Sequence, residues 1–437
     1  MSSLNFRTSQ FTERNAAGTP VKKISPEAQL TRLTLAHMLW EKQFYVDGKE
    51  TADSVQKLAA SVRPEFVRAL AETARLKFKL RHIPLLLLRE LARKGQLRAS
   101  DLDAVIQRPD EMSEFLSLYW KEGKTPLSNQ VKLGLAQSFK KFNEYQLAKW
   151  DKNSAAISMR DVMFLTHPKP NTEAQAELFK RVANKGLQTP DTWETELSGG
   201  ADKAFTFLRL MQEKKLGALA FLRNLRNMNE SGINPALIRE YAQTLDVSKV
   251  LPFRFIAAAR IVPSYEDMLE QMMFKALEGH EKLAGKTVLL IDVSGSMFGA
   301  KVSAKSDLDR FDAAAALAVL CREICEEVEI YSYSANGAVR VPPRRGFALI
   351  EAINRSQPHG GTLLGQALRS ITSTYDRCIV FTDEASYDRP ESPVRGTKGY
   401  ILDVGSYNNG VNHESWTCIT GFSEAVIDYI QAFEKSE

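Results

Sequence analysis

In "LLIDVSGSM", Leu289 to Met297, Asp292, Ser294 and Ser296 occupy alternate positions directly after an apolar run. In an extended or gently turning segment such positions face one side, and Gly295 is expected to let the chain curl between the serines. Thr362 in "HGGTLLG" and Asp383 in "IVFTDE" are expected at comparable strand ends. Five hard oxygen donors from three loops suit a small divalent cation such as magnesium, which prefers octahedral oxygen and retains water or a partner's oxygen. Asp292, Ser294, Ser296, Thr362 and Asp383 are therefore the candidate metal ligands. A purely structural loop and serine catalysis through Ser296 are the competing readings. "VSGSM" is not a GxSxG elbow, because Val293 occupies the first glycine position. The candidate bases would be His359 and His413, and His359 lies in a glycine-rich loop that it is expected to shape. No GxxxxGK[ST], HExxH or recognisably spaced catalytic carboxylate pair occurs, so binding rather than enzymatic activity is expected.

The elements that must position these oxygens follow from the texture after "HEKLAGK". "TVLLID" is a short apolar run, "RFDAAAALAVLCREICEEV" is helical, and "EIYSYS" reads as a strand. "LLGQALRSITSTY" is helical again, "RCIVFTDE" and "GYILDV" are strand-like, and "SEAVIDYIQAFEK" is a final helix. Strands alternating with helices predict a doubly wound parallel sheet, whose ligands bind at the carboxyl ends of strands where the order reverses. Ahead of it, "PEFVRALAETARLKF" and "VKLGLAQSFKKFNEYQLAKW" space apolar residues three and four apart. Turn signals such as "KTPLSN", "HPKPN", "QTPD" and "NESGINP" interrupt this pattern, and no convincing alternating strand appears. The expectation is helix pairs stacked as an irregular solenoid; the lack of a clean repeat period leaves a compact bundle as the alternative. The fold class is α plus α/β, with a helical domain over 1–280 and the sheet domain over 281–437.

A chain of 437 residues with 44% hydrophobic and 25% charged residues is long enough for two or more globular cores. Its start has no apolar core of signal-peptide length, and no run approaches a membrane span of roughly 18 residues. A cytoplasmic protein without membrane attachment is expected. Cys321, Cys325, Cys378 and Cys418 show no paired CxxC spacing, which predicts a reducing compartment and no zinc site. Cys321 and Cys325, four apart on a helix, are expected to be small core residues. The net charge of +5 is uneven: residues 1–280 carry 42 Lys and Arg against 32 Asp and Glu, and the remainder 16 against 21. A basic domain is the electrostatic footprint of a polyanion partner, although solubility explains such charge equally well. In "RLKFKLRH", Arg75, Lys79 and His82 would share a helical face that could follow a phosphate path, or simply be solvated.

The DxSxS motif with a distant Thr and a distant Asp resembles the metal-ion-dependent adhesion site (MIDAS) of von Willebrand factor A domains, over about residues 285–437. "RDVMFLTHPKP" (Arg160 to Pro170), "LGALAFLRNLRNM", "LPFRFIAAAR" and the junction "FKALEGHEKLAGKTVLLIDVSGSM" resemble, in order, segments of the Ro autoantigen family, or TROVE module. The resemblance implies a ring of HEAT-like helical repeats closed by the A domain. It implies a ribonucleoprotein: a small structured noncoding RNA of the Y RNA type on the outer surface, and single-stranded 3′ ends of misfolded RNA in the central hole. RNA quality control, stress-linked RNA processing and a tether to a 3′-to-5′ exoribonuclease would follow, with the protein itself a monomer. Carried over by motif, His167 and Lys149, beside Trp150, are implied RNA contacts, and Arg160 and Lys169 share their stretch. His167 as a helix-end residue satisfied by local carbonyls is the alternative. Arg223 and Arg226 are further RNA candidates, or a solvated face with aliphatic stems on the core. Glu384 departs from the Asn common after the family's "FTD". A metal-dependent protein-binding module without RNA function is the alternative to the whole reading.

Overall fold

The computed structural model describes residues 11–14, 20–22, 25–36, 48–151, 156–248, 250, 252–301, 308–383, 386–388, 390–394, 396–404, 416–420, 430–431 and 434. Glu384, His413 and most of the final helical run lie outside the described residues. The chain divides into two compact units. One comprises Pro26–Leu35 and Lys49–Ala201; the other comprises Asp202–Glu437 with Met1–Ser25 and Ala36–Gly48. The change from helix to strand falls near residue 280 as expected, but compactness divides the chain near 201, because the helices between 203 and 277 cluster with the sheet.

The first unit is helical: α1 (Pro26–Ala36), α2 (Gly48–Ser61), α3 (Pro64–Leu76), α4 (His82–Arg93), α5 (Ala99–Val105), α6 (Pro109–Tyr119), α7 (Asn129–Phe139), α8 (Glu144–Trp150), α9 (Met159–Thr166), α10 (Glu173–Ala183) and α11 (Trp193–Ser198). The turn signals are helix starts. Ser128 of "KTPLSN", and the threonines directly after "HPKPN" and "QTPD", Thr172 and Thr192, each accept a bond from a first-turn backbone N–H, which satisfies donors a helix leaves orphaned. Successive helices pack on one another, α3 on α4 and α5, α4 on α6, α5 on α7, and α7 on α9. Polar ties of similar sequence span fasten these helices. Arg68 to Asp101, Arg75 to Glu111, Arg89 to Glu122 and Arg181 to Glu144 span 33, 36, 33 and 37 residues. Arg68 and Arg75 of α3 reach α5 and α6, Arg89 of α4 reaches Glu122 just past α6, and Arg181 of α10 reaches back to the first turn of α8.

Those ties correct one expectation. Arg75, Lys79 and His82 form no common helical face: α3 ends at Leu76, Lys79 has a left-handed φ of 57°, and His82 opens α4. Arg75 points inward, 2.7 Å from the buried Glu111 carboxylate.

The second unit opens with an unexpected antiparallel pair, β1 (Phe11–Arg14) and β2 (Pro20–Lys22). Its helices are α12 (Lys203–Gln212), α13 (Ala218–Glu230), α14 (Pro235–Thr244), α15 (Phe253–Ile261) and α16 (Glu266–Leu277). The sheet follows: β3 (Leu283–Asp292), α17 (Arg310–Ile324), β4 (Cys325–Ser334), β5 (Gly337–Arg340), α18 (Gly346–Asn354), α19 (Leu364–Ser370), β6 (Arg377–Thr382), β7 (Lys398–Asp403) and β8 (Thr417–Thr420). Strand order is β5-β4-β3-β6-β7-β8, parallel except for the edge pair β4–β5. The chain runs from β3 outward to β4 and returns to β6 on the other side of β3, so the order reverses at the carboxyl ends of β3 and β6.

Val288, Leu290, Val380 and Ile401 form one core with Leu364 and Ala367 of α19. Alternation along the strand leaves Leu289 and Ile291 for the opposite face, where α17 packs on β3, β4 and β6. The alanine run of α17 is buried throughout, because α16 and α18 also lie against this helix. Cys321 lies in that buried helix, whereas Cys325 begins β4 instead of continuing the turn. Gly346 joins α18 to α16: a Cβ there would collide with the Glu270 carboxylate, which accepts the Phe347 N–H at 2.8 Å. Among the described residues no helix is long and apolar enough to cross a membrane.

Candidate metal centre and candidate nucleic-acid interface

Residue type and register bring the cradle together. β3 ends on Asp292 beside the end of β6, where Thr382 precedes Asp383. Both carboxylates are fully buried, while Ser296 lies exposed at the mouth. Asp292 Oδ1 accepts the Ser294 N–H at 2.8 Å, and its Oδ2 accepts the Thr382 hydroxyl at 2.9 Å and the Tyr333 hydroxyl at 3.2 Å. The Ser294 and Ser296 hydroxyl oxygens lie 3.3 Å apart. Asp383 accepts a bond from Arg310 Nη1 at 2.6 Å, and the same nitrogen lies 3.5 Å from the Ser296 carbonyl.

Thr362 does not end a strand. It is buried in the loop between α18 and α19, which is pinned to the serine turn where Gly360 accepts the Gly295 N–H at 3.0 Å. Gly295 has an ordinary backbone conformation, so the curl between the serines does not rest on left-handed geometry; a short 3-10 turn, Gly295–Met297, provides it. His359 shapes this loop as expected. Its Nδ1 is 2.9 Å from the Val293 carbonyl, which can only accept, and its ring lies against Phe298 at 4.1 Å between centroids.

Burial, and next the neighbouring Asp383 carboxylate, push the Asp292 carboxyl up to about 7. Burial and Asp292 likewise raise the Tyr333 phenol. Two buried carboxylates with three hydroxyls, and no thiolate or imidazole among the candidate donors, fit a hard divalent cation. Such an ion would favour the ionised Asp292 that burial disfavours. Among the described residues no group of three or more His, Cys, Asp or Glu forms another metal cluster.

The RNA candidates separate by exposure. His167 caps the C-terminus of α9 with a left-handed backbone, φ 48°, its N–H donating to the Met163 carbonyl at 2.8 Å and its side chain exposed. Lys169, two residues on, is exposed too. Arg160 is half-buried: Nε donates to the Ala183 carbonyl at the end of α10, and the guanidinium lies over Phe164. Lys149 is half-buried with its ammonium over Tyr145. On α13, Leu222, Asn224 and Leu225 are buried while Arg223 and Arg226 face solvent. Arg226 lies 3.7 Å from Glu230 on the same exposed face. Sequence reasoning missed Arg108, whose guanidinium stacks 3.7 Å from the Trp150 ring centroid. It also missed Arg310, although a cation in the first turn of a helix, flanked by Asp309 and Asp312, was a visible anomaly.

Comparison with known proteins agrees with this geometry. Residues 180–290 match the TROVE domain, and residues 287–385 match the von Willebrand factor type A domain. The TROVE match takes in the "LRNL" helix, the "PF" helix and the junction, while the Arg160 to Pro170 motif lies ahead of it. The fold matches the crystal structure of the Ro (RSR) protein of Deinococcus radiodurans, with a TM-score of 0.65 and 19% identity over 94% of this chain and 100% of that one. The chain therefore carries a segment matching the TROVE domain directly followed by one matching the von Willebrand factor type A domain, on a fold like that of the Deinococcus Ro (RSR) protein, in the α plus α/β class.

Proposed function

We propose that this chain is a Ro-type RNA-binding protein of the cytoplasm that acts by binding rather than catalysis. The observation that carries the reading is the unbroken passage from the TROVE match into the A-domain strand β3, since the A domain alone serves many functions. The exposed Lys169, Arg223 and Arg226 support it, because phosphate recognition needs cations whose heads remain in water, and the His167 ring is exposed beside Lys169. In this reading a structured noncoding RNA of the Y RNA type rests on the helical surface, and the single-stranded 3′ ends of misfolded RNA enter a central hole. The roles in RNA quality control and the stress response, the partnership with a 3′-to-5′ exoribonuclease and the monomeric state belong to the same proposal. Arg160 has a lesser part, because its Nε is committed to the end of α10.

In the cradle, Asp292, Ser294, Ser296, Thr362 and Asp383 would hold magnesium or another divalent cation. When bound, the ion supplies an open coordination position for a ligand oxygen. The adhesion-type alternative is favoured by one observation: Tyr387, 83% exposed, stands beside the cradle with its N–H on the Thr362 carbonyl. A partner docking there would meet an aromatic rim.

Binding of a structured RNA with a single-stranded 3′ tail, measured across a salt series, separates the two. A log-log slope of several units and a preference for the tailed RNA over blunt duplex are expected. Absence of binding at low salt, or equal affinity for blunt duplex, overturns the RNA reading.

A further inference from the structure

Arg310 occupies the first helical position of α17, after the N-cap Asp309. A cation there opposes the positive end of the helix dipole, and the side chain is only 3% exposed, so neither helix formation nor solvation accounts for it. Its partner does. The guanidinium lies 2.6 Å from the fully buried Asp383 carboxylate, the cradle's acid on β6, and reaches toward the Ser296 carbonyl at its mouth. The helix that carries it is held independently. Asp309 and Asp312 cap the first turn reciprocally, and Arg260 of α15 grips Asp312 with both guanidinium nitrogens. The start of α17 therefore does not depend on the Arg310 side chain.

A guanidinium and a divalent cation drawn to one buried carboxylate repel each other, since little water separates them. We propose that Arg310 is an exchangeable counter-ion of the cradle, holding Asp383 in the metal-free protein and swinging off it for a divalent cation to bind. Metal affinity is then set by competition with a residue of the chain itself, and the cradle is never left with two uncompensated carboxylates. This inference rests on the metal reading above.

The test is calorimetric titration of the full chain with Mg²⁺, and with Mn²⁺ as a second probe, in wild type and Arg310→Gln. The neutral variant is expected to bind both ions at least tenfold more tightly. Equal or weaker binding by Arg310→Gln overturns the exchange while leaving the metal site standing. Absence of binding by both proteins overturns the metal reading and the exchange with it. Should Arg310→Gln fail to fold, wild type decides the matter. The slowly exchanging guanidinium signals of Arg310 in a ¹⁵N–¹H spectrum should lose their protection on Mg²⁺ saturation, and unchanged signals in metal-saturated protein overturn the proposal.

Discussion

The sheet crevice and the helical surface use charge in opposite ways. At the ends of β3 and β6, Asp292 and Asp383 are almost wholly removed from water, and Arg310 of α17, as deeply buried, meets Asp383 directly. Just past α9, and on α13, His167, Lys169, Arg223 and Arg226 stand in solvent. Between these extremes lie arginines that sequence counts as basic surface but the fold uses inside, Arg75 and Arg89 above all. Gross charge therefore misleads about partners: part of the basic excess is helix-to-helix fastening, and only the exposed remainder can meet phosphate.

The largest break in that comparison comes from a fastening. Glu111→Ala removes the partner of buried Arg75 and the acceptor for the Gln107 and Arg108 N–H groups. An uncompensated buried charge costs about 3–5 kcal/mol, so urea unfolding should shift by that amount. RNA affinity of the protein still folded should stay unchanged. A loss of affinity without loss of stability would place this pair on the RNA surface instead.

Next in size is the pH response of the cradle. Because the Asp292 carboxyl is raised to about 7 in the folded state, the native protein holds a proton that the unfolded chain releases near pH 4. The Asp292 contribution to the stability of metal-free protein, read as wild type minus Asp292→Asn, should thus be fully present below about pH 4 and fall by a few kcal/mol as pH rises toward 7. Saturating Mg²⁺ should restore it above pH 7, and Asp292→Asn should flatten the dependence. A contribution from Asp292 that rises through this window would contradict the burial argument.

Smaller again is the phosphate contribution. Lys169→Ala and Arg223→Ala each remove an exposed cation with no burial to disturb, so melting should not move. Each should lower the salt slope of RNA binding by about one unit if its phosphate contact is lost. An unchanged slope returns that residue to the solvated faces that sequence allowed.

How far these differences were legible follows from their physics. Short apolar runs and helix–strand succession announced β3, β6, β7 and α17, and the spacing of Asp292, Ser294 and Ser296 announced the turn. Short elements with little periodicity of their own, β1, β2, β5, β8 and α18, were not announced; β5, for instance, is a four-residue edge strand. Inward-facing Arg75 was illegible because an arginine's side is decided by its partner, and Glu111 is 36 residues away. The division near 201 was hidden because the same helical texture runs on both sides of it. Among the candidate ligands, Thr362 could be matched by type but not by setting, since its loop is placed by Gly360 and Val293 rather than by a strand.

His167 is both a helix end and an RNA candidate, and its replacement has the smallest effect expected. The described non-glycine residues with left-handed backbone are Lys79, His167, Lys185 and Lys214, all near helix C-termini, where a cation complements the dipole. A side chain in that conformation costs roughly 1 kcal/mol relative to glycine, and glycine is the usual residue at such a cap. His167→Gly should therefore raise stability by about 0.5–1 kcal/mol in urea, because strain is removed and the Met163 carbonyl keeps its bond. If the imidazole is an RNA contact, affinity should move the other way by about 1 kcal/mol, the low end for a base stacked on a ring. Opposite signs from one substitution would assign the ring to RNA. Matching gains, or a loss of stability with affinity untouched, would return His167 to the role of a helix end.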